Sequence, residues 1–354
     1  MPFTKEKRHG TFSGIIFVAI IAAAATWIAA LTPIVAMGIS PLVVGIIIGI
    51  FYANTLHNNF PPSWESGITF SGKKILRFAI VFYGFRITFQ EIADVGIEGF
   101  LVSLIMLSST FFLGTWLGQK VFKMDRDTSM LSASGASVCG AAAVLATEPV
   151  LKAQEHKAAI AVSMVVLFGT ISMFLYPLLY TTIIEHATGF LHMTPQQFGI
   201  YVGGTIHEVA QVVAVPASIA NAEAEMANSA VIVKMTRVIM IAPMLIILGI
   251  YLSYSAKKSG SAGGGVSLVI PWFAVYFVGM AGFNSLQIIP QDIVNQINII
   301  DTFLLTMAMT ALGMGTRFAK FKGLGLAPVY TAGSMFVWLV IGGFVVTKGI
   351  TTLF

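Results

Sequence analysis

Along most of the chain, apolar positions do not alternate with polar ones. They run on for about 20 residues and stop at short clusters of Lys, Arg, Asn, Asp, Pro or Gly, the pattern of helices that cross a hydrocarbon core about 30 Å thick. The runs predict eleven helices, at 12–31, 40–56, 72–91, 97–122, 128–151, 156–184, 195–220, 226–255, 267–287, 291–316 and 327–350. The expected class is an all-α polytopic membrane protein, one transmembrane domain over residues 1–354.

Composition agrees. Hydrophobic residues make up 56% and charged residues 10% of the 354 positions, with mean hydropathy +0.87, against about 25% charged in an ordinary soluble domain. The net charge of +5 does not point to nucleic acid, because the basic residues sit in loops between apolar runs. Lys5, Lys7 and Arg8 precede the first run, and an N-terminus on the cytoplasmic side puts most Lys and Arg there too, as the positive-inside rule expects. The first run is too long for the apolar region of an ordinary signal peptide. Cys139 is the single cysteine, so an intrachain disulfide and a paired-cysteine metal site are both excluded. The stretch SAKKSGSAGGG, 255–265, reads as a flexible linker that divides no independent domain.

An internal repeat is suggested by a shift of about 160 residues, which lays KILRFAI (74–80) on KMTRVIM (234–240), Lys on Lys and Arg on Arg. The paired units are helices two to six (about 40–184) and seven to eleven (about 195–350), with helix 12–31 additional. Five helices per unit force the second copy to enter the membrane upside down. Such inverted repeats mark secondary transporters whose sites lie where discontinuous helices meet.

Three places carry candidate chemistry. The stretch SASGASVCGAAAV, 132–144, is made almost wholly of small residues. It either packs tightly against another helix or is a broken helix whose freed amides, with Ser134, Gly135, Ser137, Cys139 and Gly140, face a substrate. Its partner under the repeat, the tenth helix, has no central glycine cluster, but its Asn298 and Asp301 share a face, suited to polar lining or ion binding or else lying with Asn295 near the outer surface where the helix begins. The third place is YVGGTIHEVAQ, where a continuous helix would put Gly203, His207 and Gln211 on one face, with Glu208 beside it. His207 and Glu208 are candidates for proton or ion coupling, or for a structural bond inside the bundle. Arg237 lies about 16 Å deep in the eighth helix, with Lys234 one turn away, and needs an anionic partner there. That partner is either Glu208 or a transported oxyanion gripped by the guanidinium fork.

Enzyme readings fare poorly. HEVAQ is one substitution from the zinc motif HExxH, but Gln211 stands where the second ligand belongs, and no GxxxxGK[ST] phosphate loop occurs.

The runs SASGASVCGAAAV and GGTIHEVAQVVA together resemble the YeiH-type (UPF0324) family of bacterial membrane proteins, which are described as sulfate exporters. The resemblance covers essentially the whole chain. It implies a fold similar to the bile-acid symporter and cation–proton antiporter group: five-plus-five inverted repeats, two broken helices crossing at the midplane, a core and a panel domain, and a homodimer in the bacterial inner membrane. It adds Ser134, Gly135, Ser137, Cys139 and Gly140, and His207, Glu208 and Gln211, as site positions. The function expected is secondary transport of a small inorganic or sulfur-containing anion such as sulfate or sulfite, coupled to H+ or Na+, with no cofactor. The alternatives are an organic-anion carrier and a membrane sensor or scaffold.

Overall fold

The computed structural model describes residues 8–32, 34, 40–258, 272–321 and 325–353. Among them every regular element is a helix. In chain order the helices used below are α1 (Arg8–Ala29), α2 (Pro41–Phe51), α3 (Leu76–Tyr83), α4 (Phe89–Trp116), α5 (Arg126–Ser137), α6 (Ala141–Leu151), α7 (Glu155–Leu179), α8 (Pro195–Thr205), α9 (Val209–Ala217), α10 (Ala224–Ile239), α11 (Ile241–Lys258), α12 (Trp272–Ser285), α13 (Gln291–Gly315) and α14 (Leu326–Val337). Six helical stretches among the described residues are long and apolar enough to cross a membrane: Arg8–Ala29, Phe89–Val121, His156–Ile184, Ala224–Tyr254, Gln291–Gly315 and Leu326–Thr351. Many large apolar side chains on them point outward, Phe112, Trp116 and Ile247 among them, as helices facing lipid require. Of the expected linker at 255–265, residues 259–265 lie outside the described residues, as do Lys5, Lys7 and Lys322.

The chain forms two compact units. One comprises Met1–Ala93, Val213–Glu223 and Phe273–Lys320; the other comprises Asp94–Val212, Ala224–Trp272 and Phe321–Phe354. Each therefore draws on both halves of the sequence.

Two of the expected helices each contain a three-residue interruption. The run 128–151 is interrupted at 138–140 between α5 and α6, and the run 195–220 at 206–208 between α8 and α9. The second interruption was not expected, because Gly203, His207 and Gln211 repeat at helical spacing. The tenth helix, α13, runs unbroken. The eighth turns at Met240, between α10 and α11. The fourth begins earlier than expected, at Phe89, and kinks at Gly96, where φ is 36°.

Close backbone approach organises the first unit. A Cβ at Gly49 would run into the carbonyl oxygen of Thr310 and lie 2.8 Å from the Met314 nitrogen, and one at Gly313 would run into the carbonyl of Ile46. α2 and α13 therefore touch backbone to backbone, the usual mode where no hydrophobic effect drives helices together. Beside this crossing Val18, Ala22, Tyr52, Ile68, Met307, Ala311 and Met314 form one packed cluster. In the second unit α8 and α10 approach through Gly199 and Gly203, whose added Cβ atoms would strike the carbonyls of Met226 and Ala230. Leu131, Val144, Ala158 and Ala161 pack α5, α6 and α7 together.

The start of α5 is tied by charge. Asp125 is its N-cap and accepts from the Thr128 N–H at 3.2 Å and the Thr128 hydroxyl at 2.6 Å. Lys157 on α7 bridges Asp125 at 2.7 Å and Asp127 at 2.9 Å. Burial pushes the Asp125 carboxyl up, but hydrogen bonds from Lys157 and Thr128 outweigh it and hold the group at about 2.

Gly313→Leu is expected to destabilise the purified protein by about 1–3 kcal/mol, the range for overpacking, read as a lower thermal midpoint in detergent. Asp125→Ala should cost about 1 kcal/mol through loss of the cap. Because the folded carboxyl titrates below its unfolded value, wild type keeps this contribution above about pH 4 and loses it as pH falls toward 2. The gap between variant and wild type should therefore narrow as pH falls from about 4 through about 2; a gap of the same size at pH 2 as at pH 5 would contradict the assignment.

Candidate functional site

An interrupted helix leaves carbonyls without partners at the end of its first half and N–H groups without partners at the start of its second. α5 ends at Ser137 because Val138 leaves the helical region (φ −120°, ψ −88°) and Gly140 takes φ 72°, which a side chain would resist. The Gly140 N–H closes back on the Gly135 carbonyl at 3.0 Å, and the Gly140 carbonyl then receives Ala143 and Val144 to open α6. α8 ends at Thr205 because Ile206 is extended (φ −72°, ψ 147°). At the start of α9 the Gln211 side-chain oxygen accepts the Glu208 N–H at 3.1 Å, and the Glu208 carbonyl accepts Val212.

The carbonyls left over at both ends converge on two cations from α10. Lys234 Nζ donates to the carbonyls of Val138, Ile206 and His207, each at 2.7 Å. Arg237 donates from Nε to Ser137 at 2.5 Å, from one terminal nitrogen to Gly204 at 2.7 Å and from the other to Ala136 at 2.8 Å. Both side chains are fully buried. Three residues apart on one helix, they share a face, and each bridges the carboxyl ends of α5 and α8. The partner that the depth of Arg237 demanded is thus supplied by backbone: a helix carboxyl end carries roughly half a negative charge, and two meet here.

The other expected residues lie around the same interruptions. The Ser134 hydroxyl is 2.6 Å from that of Thr147, a bond that spans the break from α5 to α6. The Ser137 hydroxyl turns back onto the Ser134 carbonyl at 3.2 Å, and Cys139 is a buried free thiol. Gly135 leaves room for Val165 and Val144, whose methyls lie 2.6 and 2.8 Å from where its Cβ would be. Gly140 faces Glu208, whose Cγ lies 2.5 Å and Oε1 3.1 Å from a Cβ built there. His207 and Gln211 are not on one helical face, since His207 lies within the interruption and Gln211 on α9. His207 Nδ1, Gln211 Nε2 and Ser132 Oγ are buried and, among the described residues, have no hydrogen-bond partner.

Asn298 and Asp301 belong to the first unit, on α13, and do share a face. There the Arg86 NH2 nitrogen donates to the Asn298 carbonyl at 2.8 Å, the Thr302 hydroxyl at 2.8 Å and Asp301 Oδ2 at 3.2 Å. A terminal guanidinium nitrogen carries two hydrogens for these three acceptors, and the carboxylate takes the longest contact. Asp301 Oδ1, Asn298 Oδ1 and Arg86 Nε are buried without a partner among the described residues. Arg86 was not among the expected site residues. It stands inside the expected run 72–91, and nothing local joins it to Asp301, 215 residues away.

Comparison with known proteins places the chain. The sequence profile of the family described as Conserved hypothetical protein 698 matches residues 13–332. A UPF0324 membrane protein of Pseudomonas putida is 46% identical over 345 residues, covering 98% of this chain and 95% of its own. One from Bordetella pertussis is 47% identical over 336 residues, covering 95% and 94%. The UPF0324 inner membrane protein YeiH of Escherichia coli K12 is 44% identical over 345 residues, covering 96% and 95%. With matches of this identity running nearly end to end, the chain belongs to the UPF0324, YeiH-like family of membrane proteins.

Proposed function

We propose that this chain is a secondary transporter, an exporter of a small inorganic or sulfur-containing anion such as sulfate or sulfite, in the bacterial inner membrane with its N-terminus cytoplasmic. The observation that carries the reading is the pair of helix interruptions at 138–140 and 206–208, brought together in one unit. Irregular backbone at membrane depth is tolerated where it is buried or lines a cavity, and in secondary transporters it forms the substrate site. The relatives' names say membrane and inner membrane and nothing of cargo. The five-plus-five inverted repeat, the core and panel domains and a homodimer belong to the same reading. The two units, each drawn from both halves of the chain, support the core and panel division, whereas the interruptions fall in the fifth and seventh expected helices, which the repeat does not pair.

Charge assigns the roles. Lys234 and Arg237, two full charges, more than offset the carboxyl ends of α5 and α8, roughly half a negative charge each, so the interruptions keep a net positive charge to which the amino ends of α6 and α9 add. Those ends attract anions. His207 Nδ1 and Gln211 Nε2, buried without partners among the described residues, are further donors for an oxyanion. With three donors already on carbonyls, Arg237 serves the anion through its charge and not through a free fork. Glu208 lies against Gly140 at the opening of α6, where a carboxylate competes with an anion for the same amides. Its protonation admits the anion, which couples anion to proton. A divalent anion carried with one proton keeps one negative charge, and an inside-negative membrane drives that charge outward by about 2.3 kcal/mol per 100 mV. Asp301, paired on one oxygen only, is a second proton carrier in the first unit.

Radiolabelled sulfate and sulfite flux in proteoliposomes, under imposed potential, proton and sodium gradients, tests the reading. Flux of either anion that responds to potential and to pH is expected, and absence of flux for both under every gradient would overturn it. Glu208→Gln should retain flux but lose its pH dependence, with the thermal midpoint unchanged. A normal pH response in that variant removes Glu208 from coupling. Gly140→Ala should abolish flux, because a side chain there opposes the positive φ and pushes on Glu208.

A further inference from the structure

The contacts of Lys234 have the form of ion coordination rather than of helix capping. A capping lysine reaches the last carbonyls of one helix from the surface. Lys234 is fully buried and meets oxygens from two separate interruptions: Val138 after α5, and Ile206 and His207 after α8. All three lie at 2.7 Å, the short end of charge-assisted N–H···O bonds. An ammonium has three donors and no acceptor, so these oxygens exhaust it, and its charge is compact and point-like. Unwound backbone carbonyls and half-helix carboxyl ends are also the groups that coordinate a free Na+ in transporters with discontinuous helices. Arg237 differs in form, since its planar fork spreads over three oxygens that do not converge on one atom.

We propose that the carbonyls of Val138, Ile206 and His207 form a monovalent-cation site that the chain fills with its own Lys234 ammonium. The tethered ion cannot dissociate, so the two carboxyl ends stay joined whatever the sodium concentration. Removing the amine uncovers a site of three inward-facing oxygens that takes a free monovalent cation. The inference concerns what joins the interruptions and stands whether or not the chain carries anions.

The test compares wild type, Lys234→Ala and Lys234→Met, purified in detergent, by thermal unfolding in choline, sodium, potassium and ammonium chlorides at equal ionic strength. Lys234→Ala should melt below wild type in choline chloride and regain about half or more of the loss in ammonium or sodium chloride, saturably with concentration, as binding to the folded state requires. Lys234→Met, whose apolar stem fills the space an ion would occupy, should regain nothing, and wild type should not distinguish the salts. The proposal is overturned if Lys234→Ala melts at one temperature in all four chlorides, or if the other two proteins gain as much as it does. Should Lys234→Ala not survive purification in choline, the yield of monodisperse protein extracted from membranes into each salt replaces the midpoint. Recovery in ammonium or sodium alone supports the site, and equal failure in all four salts overturns it.

Discussion

The second unit depends on the neutralisation of two helix carboxyl ends by two buried cations. In hydrocarbon an unpaired carbonyl costs several kcal/mol, and six would be stranded where α5 and α8 stop. Lys234 and Arg237 take all six, from Ala136, Ser137, Val138, Gly204, Ile206 and His207. The dependence is mutual, since either cation without the carbonyls would itself be an uncompensated buried charge. The interruptions and the cations therefore stand or fall together, and the small residues of α5 and the glycines of α8 bring the backbones within reach.

Much of this was legible in the sequence, and the limits have physical causes. Long apolar runs mark crossing helices directly because lipid tolerates little else, so 12–31 and 291–316 were placed to within a few residues at most ends. The weakness at 132–144 was visible because a lipid-facing helix has no use for so many small side chains. The interruption at 206–208 was hidden. Gly203, His207 and Gln211 fall at helical spacing, and the residue that breaks the helix is Ile206, a β-branched residue that sits in helices or extended chain alike. The depth of Arg237 called for an anionic partner, Glu208 or an oxyanion, whereas its donors rest on main-chain carbonyls. The partner's identity was out of reach, because it is backbone, which every residue has and no residue type announces. Arg86 and Asp301 illustrate the other limit: each was visible alone, and only the folded first unit joins them.

The two polar centres differ in kind. Around Lys234 each donor has one acceptor at short distance, and the arrangement is saturated. Around Arg86 one nitrogen serves three acceptors while Asp301 Oδ1 and Asn298 Oδ1 lack partners among the described residues. A saturated centre holds structure, whereas an undersupplied one retains capacity for a proton or ion. The same contrast separates the engaged hydroxyls of Ser134 and Ser137 from the unpartnered nitrogens of His207 and Gln211.

That the cations rest on main-chain oxygens has a bearing on how such sequences diverge. A carbonyl survives replacement of its side chain, so Val138, Ile206 and Ala136 are free to drift among residues of similar size without disturbing the charge balance at the interruptions. Lys234 and Arg237 have no such latitude, because each is the sole source of a positive charge for its three oxygens. Descent with modification would then leave an uneven record around this centre: two basic letters held in place on α10, facing two short segments whose letters wander while their geometry does not.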